Sequence, residues 1–481
     1  MKVLILNPPF VNFSGKPLSH NPALGALYIT AVLDKAGHQV KMIDTDVLEY
    51  SWQKLAQRVK QDQPDIIGFT GTSMALPVIL ESARICKKAL PNVKIIAGGK
   101  GVTIEPHKTL KDCPEIELLV LHEGEIAVLE VMDYFLGKKK LTDIKGIAYR
   151  QDGQIVINER QKEVDNLDEL PWPAFHLMEP DLSQYRGIHG EYKGIKSPTY
   201  VIMASRGCPH RCIFCTLGSR KVRFRNPIKI VDEIEHHVKK YGFNSVQLYD
   251  DEFIGMSDME NDWVEKICNE IIKRDLSHLG YLVQGRCSQR FVRLETLQKM
   301  RQAGFKWIWF GVESGSSKIL KYIQKDITLD DVKHTFKLCK KAKINALMFI
   351  MVGFPTETEK DVMLSAKLIK EVKPEGIRIH ITTPMPGSEL WRQLEAKGQI
   401  DNYNQFDGDH RTNVIHHTDE LSSADIMRLY EMLKFKFESS RWYLFKFMLK
   451  SFFSIEGWKQ LPKRIKRILE YYFGWLKARF S

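Results

Sequence analysis

The sequence predicts an α/β protein made of two successive β–α domains followed by a basic helical extension. Five apolar runs alternate with amphipathic stretches over residues 1–140. Six more strand candidates, each followed by a helical pattern, occupy residues 199–400. Three cysteines packed into eight residues open that second series. Near-continuous apolar strands separated by helices form parallel sheets covered on both faces. The first series therefore reads as a doubly wound, Rossmann-like fold, and the second as strands curling into a partial (β/α)6 barrel.

In the first domain the strand runs are Val3–Leu6, Val40–Ile43, Ile66–Thr70, Val93–Ala97 and Leu118–Leu121. The amphipathic stretch Ala23–Ala36 stops at Gly37, as a helix end should. Ligands of such sheets bind past the carboxyl ends of the strands. Those ends carry Asn7-Pro-Pro9, Thr70-Gly-Thr-Ser73, Gly98-Gly-Lys-Gly-Val-Thr103 and His122-Glu-Gly-Glu125. Small residues there let backbone approach a large ligand closely; taken singly, each glycine could simply turn the chain.

Residues 141–198 read as a connector. Lys145–Tyr149 and Gln154–Asn158 flank Asp152-Gly153, a hairpin signal. In Leu167-Asp-Glu-Leu-Pro-Trp-Pro-Ala174 two prolines enforce extended backbone.

The apolar run Thr199–Ala204 then delivers Ser205-Arg-Gly-Cys208-Pro-His-Arg-Cys212-Ile-Phe-Cys215. Thiolates gathered by one loop suit iron or zinc. Three ligands, where a closed structural site wants four, leave a metal position open for chemistry. A zinc knuckle with His210 as fourth ligand, or a redox pair of Cys212 and Cys215, are the alternatives. The first has no second ligand pair at finger-like spacing, and the second leaves Cys208 unexplained.

Spaced C-x3-C-x-aromatic-C, with Phe214 before the last cysteine, the loop resembles the signature of the radical S-adenosylmethionine (SAM) superfamily. The resemblance implies that Cys208, Cys212 and Cys215 hold a [4Fe–4S] cluster whose fourth iron is chelated by SAM, and that reductive cleavage of SAM gives a 5′-deoxyadenosyl radical. The strands that follow are Ser245–Tyr249, Tyr281–Gln284, Trp307–Phe310, Leu347–Val352 and Gly376–Ile381. Their ends match the family's landmarks in order. Asp250 and Asp251 fall where the methionyl ammonium of SAM binds, with helix capping as their ordinary role. Arg286 suits the SAM carboxylate, or a plain surface arginine. Glu313 and Ser314 match the ribose-contacting turn and Gly353 the turn under the adenine, while Thr383-Pro-Met-Pro-Gly-Ser388 closes the series.

The strand ends of the first domain are similar to the cobalamin-binding domain that precedes many such barrels, and Leu-Asp-x-Leu-Pro-x-Pro to the connector of the same enzymes. The implied ligand is cobalamin, its nucleotide tail beside Gly98-Gly99. The contacts carried over are Thr70, Gly71, Gly98, Gly99, Thr103, Glu123, Gly124 and Glu125. The D-x-H-x-x-G motif that supplies a lower histidine ligand in methionine-synthase-like domains occurs nowhere in the chain; His20 lacks the Asp two residues before it. The lower axial position of cobalt is left unassigned.

At 481 residues, 43% hydrophobic and 27% charged, the composition is that of a globular protein of two or three domains. The N-terminal strand is not preceded by a secretory signal, and apolar runs such as Ala346–Phe354 are too short to span a bilayer. Five scattered cysteines beside the cluster of three fit a reducing cytosol. Of the net charge of +12, residues 441–481 hold +8, with ten Lys/Arg, two Glu and twelve aromatics. Ser422–Lys436 reads as a helix. Beyond it, Leu461, Ile465, Leu469, Tyr472, Leu476 and Phe480 form a stripe at helical spacing. Packing on the barrel with a solvated basic face is one expectation. Peripheral contact with anionic lipid is the other, and no nucleic acid is expected.

The function implied is a cobalamin-dependent radical SAM methyltransferase acting on an unactivated carbon of a small molecule, with a reducing electron donor. An apolar substrate would suit the tail. No Ser/His/Asp constellation is needed for such chemistry and none is found. The rivals are a cobalamin-dependent oxidative cyclase or ring-rearrangement enzyme resembling the anaerobic porphyrin-ring cyclases, a radical SAM enzyme whose first domain only binds substrate, and a non-catalytic iron–sulfur or zinc scaffold. The domains expected are 1–140, 141–198, 199–400 and 401–481.

Overall fold

The computed structural model describes residues 1–14, 21–185, 192–216, 219–401 and 413–438. The tail 441–481 and His20, with the expectations placed on them, lie outside these. The chain divides into two compact units. The first comprises Met1–Pro209, Thr216–Gln284 and Gln298–Trp307; the second comprises His210–Cys215, Gly285–Leu297 and the described part of Ile308–Ser481.

In the first unit β1 (Lys2–Asn7), β2 (Gln39–Asp44), β3 (Ile66–Thr70), β4 (Lys94–Gly98) and β5 (Leu118–Val120) pair in parallel, in the order β5-β4-β3-β1-β2. Their apolar residues are buried on both faces, with Val3 to Leu6 at most 3% exposed. This is the doubly wound sheet expected. The strand order reverses between β1 and β3, which places the ligand crevice of such a sheet at the ends carrying Asn7 and Thr70. The helix Leu24–Lys35 covers the sheet and ends before Gly37, whose φ of +83° a side chain would strain.

The connector adds strands to both edges of this sheet. β6 (Ile147–Gln151) and β7 (Gln154–Ile157) form a hairpin whose turn residues Asp152 and Gly153 both have positive φ, as a two-residue primed turn requires. β6 pairs antiparallel with β5, and β8 (Met178–Glu179) pairs in parallel with β2. Glu179 is held there by the Arg58 fork at 2.7 and 2.8 Å and by Lys41 at 2.6 Å. In the proline-containing segment, Asp168 accepts from the Asn226 amide at 2.7 Å and the Ala174 amide donates to Leu27 at 3.3 Å.

The second β–α series gives β9 (Thr199–Ile202), a two-residue ribbon of β10 (Ser205–Arg206) and β11 (Arg223–Phe224), then β12 (Ser245–Leu248), β13 (Gly280–Gly285), β14 (Phe305–Glu313), β15 (Asn345–Val352) and β16 (Gly376–Ile381). Six of these form one sheet in the order β16-β15-β14-β13-β12-β9, with parallel registers for β9–β12, β12–β13 and β15–β16. This is the six-stranded (β/α) arrangement of the partial barrel. Side-chain caps start the intervening helices: Asn226 before Pro227–Tyr241, Ser257 before Asp258–Lys273, and full capping boxes at Thr328 and Thr358. In the second unit the helix Ser423–Glu438 realises the one expected at Ser422–Lys436 and packs on Glu359–Val372 and β16. Among the described residues no helix is long and apolar enough to cross a membrane.

Candidate active site

The cysteine loop leaves the sheet through the β10–β11 ribbon. Gly207 has φ +99°, and a Cβ there would collide with the carbonyl of Lys221. The N–H groups of Ser205 and Gly207 both find carboxylates at the end of β12. Asp250 Oδ1 accepts from the Ser205 amide and, at 2.8 Å, from the Ser205 hydroxyl; Asp251 Oδ2 accepts from the Gly207 amide at 3.2 Å. Asp250 is 1% exposed and burial pushes its carboxyl up to about 7. Asp251 is exposed. Two carboxylates that sequence could not tell apart thus differ in kind: Asp250 supports the loop, while Asp251 also faces outward.

The Cys208 amide donates to Ser219 at 3.3 Å and the Cys215 amide to Cys212 at 3.1 Å. None of the three thiols is in a disulfide; Cys212 is buried and Cys208 and Cys215 are half-buried. Among the described residues no group of three or more His, Cys, Asp or Glu side chains is arranged to hold a metal ion, so the thiols share a loop rather than a formed coordination sphere. Their chemistry fits an iron–sulfur cluster: three soft sulfur donors on one short loop, with Gly207 letting the chain turn. His210, the alternative fourth ligand, has its Nδ1 3.8 Å from Asp326.

Around the loop tip, in the second unit, the Ile213 amide donates to Ile323 and its carbonyl accepts from Leu390. Phe214 lies 5.8 Å from Phe354, ring to ring, with Lys325 Nζ 6.0 Å from its centroid. Burial pushes the Cys212 thiol up, and Lys325 and Arg286 pull the other way. Arg286 is buried. Glu313, at φ +70°, makes a buried ion pair with Lys325 at 3.0 Å. Ser314 is fully buried, and its hydroxyl accepts from the Ser316 amide at 3.2 Å. Gly353, at φ +102°, is gripped on both sides: its N–H donates to Glu357 at 2.6 Å and its carbonyl meets His416 Nε2 at 2.7 Å. A Cβ on Gly353 would lie 2.9 Å from Ile426 Cγ2.

In the first unit the glycine-rich strand ends bring loops together. A Cβ on Gly99, at φ +89°, would lie 2.7 Å from the Gly71 carbonyl and 2.9 Å from Thr70 Oγ1; one on Gly71 would lie 2.8 Å from the Ala75 methyl. Gly98 closes on the Val120 carbonyl. Thr103 donates to the Gly99 carbonyl at 2.8 Å and accepts from the His122 amide at 2.9 Å, joining the ends of β4 and β5. Thr70, Gly71, Gly98, Gly99, Thr103 and Gly124 are all half-buried there. This small-residue rim at the strand ends is a fit for a large flat ligand approaching backbone. The carboxylates of Glu123 and Glu125 have protein partners instead, Arg223 and Arg206.

Sequence reasoning missed Arg206, Arg223, Lys325, Glu357 and His416 as supports of these positions. The two arginines flank the cysteine loop in sequence, a signal that could have been read. Lys325 and His416 sit in unpatterned stretches and gave none.

Two family models match: residues 15–132 match the B12 binding domain, and residues 202–369 the radical SAM superfamily. An uncharacterized methyltransferase of Pyrococcus horikoshii is 28% identical over 404 residues, covering 83% of this chain and 84% of that protein. The anaerobic magnesium-protoporphyrin IX monomethyl ester cyclase of Rubrivivax gelatinosus is 25% identical over 413 residues, covering 84% and 72%. The fold is similar to that of OxsB, a cobalamin-dependent SAM radical enzyme solved with aqua-cobalamin and SAM bound, with a TM-score of 0.76 and 17% identity over 98% of this chain and 72% of that one.

Proposed function

We propose, for a chain that joins a B12-binding domain at residues 15–132 to a radical SAM domain at residues 202–369, that it is a cobalamin-dependent radical SAM methyltransferase acting on an unactivated carbon of a small molecule. The observation that carries this reading is the presence of both domain matches on one chain, with the three-thiol loop inside the second. The methyltransferase relative that spans most of the chain supports the reaction type.

Cys208, Cys212 and Cys215 would hold the cluster. The chemistry these groups supply when bound is reductive cleavage of SAM to a hydrogen-abstracting radical, and methyl transfer through cobalamin. The protein's own part is placement. Asp251 offers an exposed carboxylate suited to the methionyl ammonium, with Asp250 behind it holding the loop. Arg286 suits the methionyl carboxylate, Glu313 and Ser314 the ribose, and the Gly353 turn the adenine beside Phe214. Thr70, Gly71, Gly98, Gly99, Thr103 and Gly124 would line the corrin side.

An oxidative cyclase is the second reading, favoured by the cyclase relatives, which match four-fifths or more of this chain. Protein purified and reconstituted without oxygen in hydroxocobalamin decides between them. Four irons with stoichiometric corrin, and a methyl group from labelled SAM in the product, are expected. Deoxyadenosine with no methyl transfer points to the cyclase, and four irons without corrin removes both. Replacing any of Cys208, Cys212 and Cys215 by Ala should abolish SAM cleavage.

For the residues 441–481 we propose contact with anionic lipid, and an apolar substrate to match, on their basic and aromatic composition. Full-length protein should float with anionic liposomes and the 1–440 truncation should not; equal behaviour of the two would end this idea.

A further inference from the structure

The ribbon that opens and closes the cysteine loop has only two residues per strand, Ser205 opposite Phe224 and Arg206 opposite Arg223. A hairpin that short has no stability of its own, so side-chain ties must hold it. Barrel carboxylates secure one edge through the Ser205 and Gly207 amides. The other ties come from the B12-binding domain and the connector that follows it. Arg223, 3% exposed at its side chain, lays its fork across both oxygens of Glu123 at 2.5 and 2.9 Å, and its Nη1 also donates to the Val164 carbonyl at 2.7 Å. Arg206 donates to Glu125 at 2.7 Å, approaches Glu123 at 3.6 Å and lies over the Tyr28 ring at 5.3 Å. Glu125 is itself 7% exposed at its side chain. The buried Arg223 and the half-buried Arg206 therefore compensate two carboxylates, the Arg223–Glu123 contact in the bidentate geometry that fixes direction as well as distance.

We propose that Glu123 and Glu125 are positioning residues that tie the β10–β11 ribbon, from which Cys208 follows, to the B12-binding domain through Arg223 and Arg206. The contact is independent of the reaction; its consequence for methyl transfer rests on the function proposed above. The Glu-Gly-Glu turn then acts through its carboxylates on the loop rather than on the corrin.

Amide hydrogen exchange over residues 205–224, read on the full chain before and after reconstitution with iron, sulfide and hydroxocobalamin, tests this. The isosteric E123Q/E125Q variant should exchange about tenfold faster or more in those peptides, while corrin content and exchange in the remaining sheet stay as in the wild type. R223K, which keeps the charge and loses the fork, should fall between, and serves if the double variant fails to fold. Methyl transfer should drop more than SAM cleavage. Unchanged exchange in both variants overturns the proposal. Lost corrin with unchanged loop exchange also overturns it and assigns the two carboxylates to cobalamin. Absence of any methyl product with faster loop exchange would strike only the assigned reaction.

Discussion

Asp250 accepts both hydrogen bonds that Ser205 can offer, from its amide and its hydroxyl, in a place closed to water. Removing the acceptor leaves two buried donors unpaired. D250A should therefore lose roughly 2–4 kcal/mol of stability, since each such group costs about 1–3 kcal/mol. D250N keeps an acceptor and should lose about 1 kcal/mol or less. Urea unfolding midpoints of the two variants check this, and equal losses would show that Ser205 finds another partner.

Gly99 tests whether the glycines at the strand ends are structural. An alanine there must adopt φ +89° with ψ −176°, a region open essentially to glycine alone, at about 1–3 kcal/mol, and drive its methyl into the Thr70–Gly71 backbone. G99A should be destabilised by roughly 3 kcal/mol and take up less corrin on reconstitution. G37A, at φ +83° with open space at its Cβ, has a positive-φ penalty of its own without the collision and should retain corrin. Similar corrin losses in both would mean that the close approach at Gly99 is immaterial.

The parallel strands were legible from their patterns, Ile66–Thr70 as a buried apolar run and Gly376–Ile381 as apolar residues alternating with Arg378 and His380: both occur as read, and Val93–Ala97 is shifted by one residue. The Asp152-Gly153 turn was legible for the same local reason. Its destination was not, since nothing in β6 or β7 says that they extend the first sheet. The cysteines announced themselves by spacing. The residues that hold them did not: Glu123 and Arg223 are 100 positions apart, and single charged residues show no periodicity. Asp250 and Asp251 could not be separated because neighbours on a strand end differ in burial only once the next loop packs against them.

Asp44, buried at the end of β2, gives the fold a pH dependence. Burial pushes its carboxyl from 3.8 up to about 6, despite hydrogen bonds from Asn7, the Val47 amide and Tyr185. A folded-state value above the unfolded one means that the proton is held more tightly in the folded chain. Its stabilising contribution is therefore complete below about pH 4 and is lost as pH rises through 6. The shift corresponds to roughly 3 kcal/mol at most. D44N should remove this dependence, so the stability difference between wild type and D44N should move against the wild type between pH 4.5 and 7. Parallel profiles would show that Asp44 titrates normally.

Lys325 and Glu313 are each 9% exposed at the side chain and lie 3.0 Å apart, with the ring of Phe214 beside the ammonium. Gly311 makes room for them: a Cβ there would come within 2.8 Å of Lys325 Nζ. Breaking such a buried pair from one side strands a charge away from water, which costs about 3–5 kcal/mol. K325M should therefore be strongly destabilised. E313Q/K325M, which removes both charges, should recover most of the loss, because the pair's own net contribution is small once desolvation is counted. Denaturant midpoints around the four-variant cycle give the coupling directly. SAM affinity should fall in every variant that lacks the Glu313 carboxylate or its partner, including the stable double variant. If the double variant binds SAM as the wild type does, Glu313 has only a structural part and the ribose contact belongs elsewhere on the turn.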